Sequence, residues 1–204
     1  MSDVIRVQPD RANQSVVTLP RVGGLAALLT DAILLVGLAG LVAHQQGLGV
    51  KNWLIVLFQI NSGSLPFDTL RIFNPIDVAV LALVGLTFLG LWPTLGRPHR
   101  IWTGIAIGMP FAGIALLLIT GLWGRSAVMG GGLIVAVLML VTLRSGRLLL
   151  FTCLLANGLL LIGDLGTGVL PGALLAPILA AGYIFLIGLY LVLSLTLVRP
   201  KSPT

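Results

Sequence analysis

Six long runs of apolar residues follow one another along the chain, separated by short stretches that carry most of the polar residues. A bilayer core about 30 Å thick is crossed by roughly 20 apolar residues in a helix. The pattern therefore predicts an all-α fold, a membrane helical bundle with six transmembrane spans. The predicted spans cover residues 22–43, 74–92, 101–123, 126–143, 148–166 and 178–198.

The parts outside these spans are short, with one exception. Residues 1–21 and 199–204 are predicted to be polar tails, while residues 44–74 form the longest loop. Within that loop, the apolar residues 52–60 are too few to cross a bilayer, which favours a short segment lying at the membrane interface or re-entering it. The next span has a sharp predicted start at Asn74-Pro75-Ile76-Asp77, with Asn as the N-cap, Pro at the first helical position and Asp in the first turn.

Composition excludes a water-soluble domain. The chain has 204 residues, of which 57% are hydrophobic and 9% charged, whereas a soluble domain carries about 25% charged residues. The formal net charge of +6 comes from basic residues that lie singly between apolar runs. Nucleic-acid-binding proteins instead cluster their basic residues on one face, so no nucleic-acid partner is predicted.

The basic residues predict the orientation, because loops on the cytoplasmic side of a membrane are enriched in Lys and Arg. Six spans place nine of the twelve basic residues on the side of the two tails and three on the other side. Both termini are therefore predicted to be cytoplasmic, in a bacterial inner (plasma) membrane. The nine are Arg6, Arg11, Arg21, Arg97, Arg100, Arg144, Arg147, Arg199 and Lys201, and the three are Lys51, Arg71 and Arg125.

Several polar residues lie at membrane depth, where they are expensive and usually paired, neutral or functional. Asp31 lies in the middle of the first span with no partner on its own helix. On the fifth span, Asp164 shares a helix face with Asn157 and Cys153. On the sixth span, Tyr183, Tyr190 and Ser194 share another face.

These residues have two interpretations. In the structural one, Arg125 pairs with Asp164 or Asp77, and the tyrosines form hydrogen bonds between helices. In the functional one, the first, fifth and sixth helices enclose an outward-facing polar cavity with Asp31 at its floor. Such a cavity would bind a small cationic or polar ligand, or exchange a proton.

Small residues predict close helix packing on the third and fourth spans. Gly104, Gly108, Ala112 and Ala115 recur at about one helical turn on the third span, and Gly130-Gly131-Gly132 lies in the fourth. The triple glycine is not a phosphate-binding loop, because no Lys-Ser or Lys-Thr follows it.

Catalytic constellations are missing from the sequence. All six acidic residues are Asp, and the two histidines, His44 and His99, are predicted at opposite membrane faces. There is no Cys/His cluster with metal-ligand spacing. We therefore predict no enzyme, no metal and no cofactor, although a single axial ligand from His44 to a pigment or haem stays open.

Three segments carry a resemblance to a known group. Phe73-Asn74-Pro75-Ile76-Asp77, Gly124-Arg125-Ser126-Ala127-Val128-Met129-Gly130 and Leu160-Leu161-Ile162-Gly163-Asp164 resemble small bacterial six-helix integral membrane proteins of a domain-of-unknown-function family. The resemblance covers about residues 60–170. It implies a shared fold with Asn74, Asp77, Arg125 and Asp164 in matching positions, and it brings no activity.

Two functions are compatible with these features. The first is an accessory or scaffold subunit of a membrane complex, with a membrane protein or a second copy of the chain as partner. The second is a small carrier or solute-binding protein that uses Asp31, Asn157 and Asp164. They differ in whether Asp31 and Asp164 face one shared cavity or lie apart.

Overall fold

A computed structural model describes residues 11–49, 75–96, 98–120, 124–142, 147–166 and 169–198. Within these ranges the chain is helical and contains no strand, which confirms the all-α part of the predicted fold class. The described ranges contain seven helices, α1 (Arg11–Gln45), α2 (Pro75–Gly90), α3 (Trp92–Leu95), α4 (Arg100–Thr120), α5 (Gly124–Thr142), α6 (Arg147–Gly166) and α7 (Gly172–Val198). The predicted segment at residues 52–60 lies outside the described residues.

Among the described residues, four helices are long and apolar enough to cross a membrane, as is typical of an integral membrane protein. The crossing segments are Leu19–Gly40, Arg100–Ile119, Leu149–Gly166 and Ala173–Val198. Ile76–Gly90 and Ser126–Thr142 are apolar but shorter.

Helix α1 begins earlier than the hydrophobic pattern suggested. It starts at Arg11 rather than near residue 22 and continues through Pro20. Hydropathy marks only the part of a helix that lipid can cover, and a helix of 35 residues, about 52 Å long, extends beyond the bilayer core. Helix α7 also starts earlier than predicted, at Gly172 rather than near residue 178, because it continues through Pro177 and its apolar segment already begins at Ala173.

The carboxyl end of α1 is closed by a glycine turn. Gly47 has a φ of 71°, which is a left-handed conformation that glycine adopts without steric cost. The amide of Leu48 donates to the carbonyl of Ala43 at 2.9 Å, and the amide of Gln46 donates to the carbonyl of Val42 at 3.0 Å. These bonds satisfy carbonyls at the helix end, as in a Schellman motif.

In the part of the chain that the structure describes, the six long helices form a closed ring. Each packs against the next one along the chain, and α7 packs against α1, while α2 also touches α5 across the middle. Glycine contacts give an antiparallel register: Gly113 meets Gly124 and Ala106 meets Gly131 between α4 and α5. We call the end that carries Gly24, Gly90 and Val198 the inner end, and the opposite end the outer end.

The inner connection from α2 to α4 is a compact turn. It contains the one-turn helix α3, preceded by the buried Leu91 and ended by the buried Leu95. The Thr103 hydroxyl on α4 donates to the carbonyl of Leu95 at 3.0 Å. This bond ties the turn to the first residues of α4.

Backbone contact between α1 and α2 requires glycine on both helices. A Cβ atom added to Gly23 would lie 2.6 Å from the Cα atom of Gly90, and one added to Gly90 would lie 2.7 Å from the Cα atom of Gly23. Lipid gives helices no hydrophobic drive to associate, so such close approach supplies the packing contacts that hold them together.

The triple glycine leaves α5 without side chains where it packs against α4 and α6. A Cβ atom on Gly131 would lie 3.0 Å from the carbonyl oxygen of Ala106 on α4. Pro110 has no amide hydrogen to donate to that carbonyl, so the Gly131 backbone packs against the carbonyl that Pro110 leaves free. The predicted packing role of Gly130-Gly131-Gly132 is confirmed.

The core lies along the ring axis and draws side chains from every long helix. It contains Ala27, Val84, Phe88, Leu91, Leu95, Ala106, Val135, Ala136, Leu138, Met139, Cys153, Ala156, Leu189, Tyr190 and Leu193.

Candidate functional site

Asp31 is a buried carboxyl group near the middle of the Leu19–Gly40 segment. It lies four residues after Ala27 and seven after Gly24, on the helix face that meets the rest of the bundle. Asp31 is only 4% exposed, and its Oδ1 atom has no hydrogen-bond partner among the described residues. The neighbouring Thr30 hydroxyl donates to the carbonyl of Ala26 at 2.9 Å. Asp31 is therefore a buried polar residue whose Oδ1 atom has no hydrogen bond within the described residues to replace its contact with water. Such atoms are uncommon in folded proteins.

The register between α1 and α7 shows what lies at the depth of Asp31. A Cβ atom on Gly24 would lie 2.7 Å from Val198 Cγ2 and 3.1 Å from Leu197 Cβ. Helices α1 and α7 are antiparallel. The residue seven positions after Gly24 therefore lies at the same depth as the residue seven positions before Val198. Asp31 thus lies level with Leu191 and Tyr190.

A second polar cluster joins α5, α6 and α7. The Asn157 Nδ2 atom donates to the carbonyl of Cys153 at 2.8 Å, and the Cys153 Sγ atom donates to the carbonyl of Gly132 at 3.5 Å. Tyr190 packs in the same core and is 2% exposed. A Cβ atom on Gly132 would overlap the Asn157 amide. The cluster is filled and hydrogen-bonded, so its evident role is to hold three helices together.

At the outer end, Asp164 on α6 is bound by the beginning of α5. The Ser126 hydroxyl donates to Asp164 Oδ2, and Asp164 is half-buried. The Arg125 side chain lies outside the described residues, so its predicted pairing with Asp164 or Asp77 stays a prediction. Asp77 occupies the first turn of α2, two residues after Pro75, as the sequence predicted. Ser126 belongs to one of the segments that carry the resemblance, but the sequence did not mark it as a candidate site residue.

The two tyrosines of α7 have different surroundings. Tyr190 is buried, whereas Tyr183 is 37% exposed. Seven residues along a straight helix return to nearly the same face, but the outer half of α7 is less covered by its neighbours. Equal spacing therefore does not give equal burial.

Asp31 and Asp164 lie far apart along the bundle axis. The register of α6 on α7 pairs Gly163 with Leu179 and Gly182 with Leu160, which places Asp164 level with residue 178. Asp31 is level with residue 191. Thirteen residues at a rise of about 1.5 Å separate the two carboxyl groups by roughly 20 Å in depth. The predicted residues thus occupy separate places: Asp31 on α1, Asn157 with Tyr190 in the core, and Asp164 at the outer end.

One small-residue face of α4 does not pack against the described part of the bundle. Nothing lies within 4 Å of a Cβ atom added to Gly104 or Gly108, and both Ala112 and Ala115 are exposed. Helix α4 packs instead through Thr103, Ala106, Pro110 and Gly113, all of which are buried. The close helix packing predicted for the Gly104 face is thus not made within the described residues and stays a prediction. Both faces of α4 carry small residues, and the pattern alone does not choose which of them packs in the bundle.

In the described ranges, no three side chains of His, Cys, Asp and Glu are grouped so that they could hold a metal ion. The His44 side chain lies outside those residues, so its suggested role as an axial ligand stays a hypothesis.

Comparisons with family models, curated proteins and solved structures found no match. The resemblance to six-helix bacterial membrane proteins of unknown function therefore stays a prediction.

Proposed function

We propose that this protein is a six-span integral membrane protein, with both termini cytoplasmic, that serves as an accessory or scaffold subunit of a membrane complex. The observation that carries the proposal is the outward face of α4, which consists of Gly104, Gly108, Ala112 and Ala115 and packs against nothing in the described part of the chain. We call these four residues the α4 small-residue face.

A helix face without bulky side chains fits a partner helix better than it fits lipid alone. Small residues let two backbones approach closely, and such approach supplies much of the packing energy between membrane helices. In this protein, the same device already holds α1 against α2 at Gly23 and Gly90. We therefore assign the α4 small-residue face to a transmembrane helix of a partner, or of a second copy of the chain.

The ring supports six crossings rather than four. The shorter apolar segments, Ile76–Gly90 and Ser126–Thr142, lie in the ring among the longer ones. Helices that follow one another along the chain pack antiparallel, so each helix runs in the opposite direction to the one before it. Six crossings would bring both termini to one side, where the basic residues predict the cytoplasm.

A small carrier is the second candidate function. The buried, unpartnered Asp31 supports it. Asp31 and Asp164 are separated by roughly 20 Å along the bundle axis. This separation argues against one ligand site that uses both carboxyl groups. The scaffold function is consequently the better supported of the two.

Gly108→Ile tests the scaffold function. Since a Cβ atom at Gly108 has open space around it, the variant should fold normally but no longer admit a partner helix. We expect wild-type protein, extracted in mild detergent from cells with native expression, to run as a particle larger than the monomer. Gly108→Ile should run as the monomer, as measured by size-exclusion chromatography with light scattering.

The matched control is Gly158→Ile on α6, where an added Cβ also meets nothing. It should keep the larger particle. A wild-type protein that is strictly monomeric, or a larger particle that survives Gly108→Ile, would rule out the α4 small-residue face as the interface.

The orientation is tested by cysteine labelling with a membrane-impermeant maleimide. Gly49 at the outer end and Thr94 at the inner end are both exposed, and the native Cys153 is buried. We expect Gly49→Cys to be labelled in intact cells and Thr94→Cys only after permeabilisation. The reverse pattern would invert the orientation, and labelling of both in intact cells would contradict the alternating spans.

A further inference from the structure

Asp31 combines three properties that rarely coincide. It lies at mid-depth in an apolar segment, it is 4% exposed, and its Oδ1 atom has no hydrogen-bond partner among the described residues. An ionised carboxylate at the centre of a membrane costs several kcal/mol unless it is paired. Asp31 therefore needs a cation beside it or a proton on it.

The surrounding helices offer no cation for Asp31 within the described ranges. The elements packed against α1 are α2, α3 and α7, and none contains Lys, Arg or His. On α1 itself, Arg21 is exposed and ten residues away, about 15 Å along the helix. The nearest basic residue in the other direction, His44, is thirteen residues away. The titratable groups on the packed elements are Asp77 on α2 and Tyr183 and Tyr190 on α7.

Neither an acidic residue nor a neutral tyrosine compensates a negative charge as a basic residue would. The α1 and α2 register, with Gly23 opposite Gly90, places Asp77 about five residues outward of Asp31. Asp77 therefore brings no positive charge to the depth of Asp31.

Burial around Asp31 is one-sided. On the inner side of Asp31, Gly23, Gly24, Ala26, Ala27 and Thr30 are buried, whereas on its outer side Gly40 is the one buried residue among the α1 residues whose exposure is described. On α7, Leu189, Tyr190, Leu193 and Ser194 are buried, while residues 183–188 are exposed or half-buried. Asp31 thus lies at the boundary between the more buried inner half of α1 and α7 and their less buried outer half.

We propose that Asp31 is a proton-binding site, which holds its proton at neutral pH and exchanges it with water from the outer end of the bundle. This goes beyond the scaffold function and does not depend on it. The ligand is a proton rather than a metal cation, because a metal ion requires several oxygen ligands. The hydroxyls of Thr30, next to Asp31 in sequence, and of Ser194, about one turn from its level on α7, already donate to backbone carbonyls.

Isotope-edited infrared spectroscopy tests the protonation state directly. All six acidic side chains are Asp, so aspartate labelled with ¹³C at the side-chain carboxyl marks every one of them. An ordinary Asp ionises near pH 4 and is a carboxylate at neutral pH. The full chain in detergent should show a label-sensitive carboxylic-acid C=O band that persists from about pH 5 to about pH 8. A spectrum with only carboxylate bands at neutral pH would overturn the proposal.

Variants assign the band. Asp31→Asn should abolish it, whereas Asp77→Asn and Asp164→Asn should keep it. A band that survives Asp31→Asn, or that disappears in Asp164→Asn instead, would refute the assignment. If Asp31→Asn does not fold, the wild-type spectrum still decides whether any aspartate is protonated, and specific placement of the label at Asp31 decides which one.

Access from water is tested on the same sample. Transfer into D₂O should shift the band to lower frequency as the acid proton is replaced by deuterium. An unshifted band would refute the outward opening. Gly108→Ile should leave the band unchanged, so failure of the scaffold function and failure of the proton site are distinguishable.

Discussion

Gly23→Ala is expected to lower the free energy of unfolding by roughly 2–3 kcal/mol, because it forces two helix backbones apart. The added Cβ would lie 2.6 Å from Gly90 Cα, 3.1 Å from Gly90 N and 3.2 Å from the carbonyl oxygen of Leu86. All three are backbone atoms, so no side-chain rotation relieves the overlap. Reversible unfolding in mixed detergent micelles measures the change.

Gly104→Ala is the matched control for Gly23→Ala, since it makes the same change where an added Cβ meets nothing. We expect its unfolding free energy to stay within about 0.5 kcal/mol of the wild type. The double variant Gly23→Ala with Gly90→Ala should have a lower free energy of unfolding than Gly23→Ala alone, because both Cβ atoms enter the same gap between α1 and α2. Equal stabilities for Gly23→Ala and Gly104→Ala would contradict the close contact of α1 and α2.

Gly132→Ala should also cost roughly 2–3 kcal/mol, through a side chain rather than the backbone. Its Cβ would overlap the Asn157 amide, which must leave its place and release its 2.8 Å bond to the carbonyl of Cys153. Asn157 is 3% exposed, so the displaced amide has no water to compensate it. The measurement is again reversible unfolding in micelles.

A second substitution separates this mechanism from general intolerance at Gly132. Asn157→Ala removes the amide that the new methyl group of Gly132→Ala meets. The free energy of unfolding of the double variant should therefore exceed, by at least about 1 kcal/mol, the value expected from adding the two single effects. Gly158→Ala, at a glycine with open space on α6, should be close to neutral. Strict additivity of Gly132→Ala and Asn157→Ala would show that the two residues do not meet.

The contrast between the two glycines reflects how the bundle is assembled. At Gly23 the neighbour is a backbone, and the contact sets the distance between α1 and α2. At Gly132 the neighbour is an amide that binds within its own helix, and the contact sets the position of α6 on α5. Each contact fixes helices that surround the polar core residues Cys153 and Tyr190 or the buried Asp31.

Part of the proposed site was predictable from the sequence. Asp31 was predictable as a candidate because an acidic residue in the middle of an apolar run is rare. Its position in the sequence is enough to identify it, without knowledge of its neighbours in the fold. Its missing hydrogen bond was not predictable, because that depends on which side chains α2 and α7 present at the same depth. Likewise, Asp164 was noticed from its position, whereas its partner Ser126 lies 38 residues away in sequence and becomes a neighbour through the packing of α5 on α6.

By itself, the sequence determined the helical class, most of the apolar segments and the sharp start of α2 at Pro75. These follow from local chemistry: apolar runs of bilayer length, the fixed φ of proline and the position of Asp77 in the first turn. Only the tertiary structure decided which face of α4 packs inward, that the helices close into a ring, and that Asp31 and Asp164 lie apart. Helix register depends on contacts between residues distant in sequence, and an almost uniformly apolar helix carries no polar face to mark which side meets its neighbour.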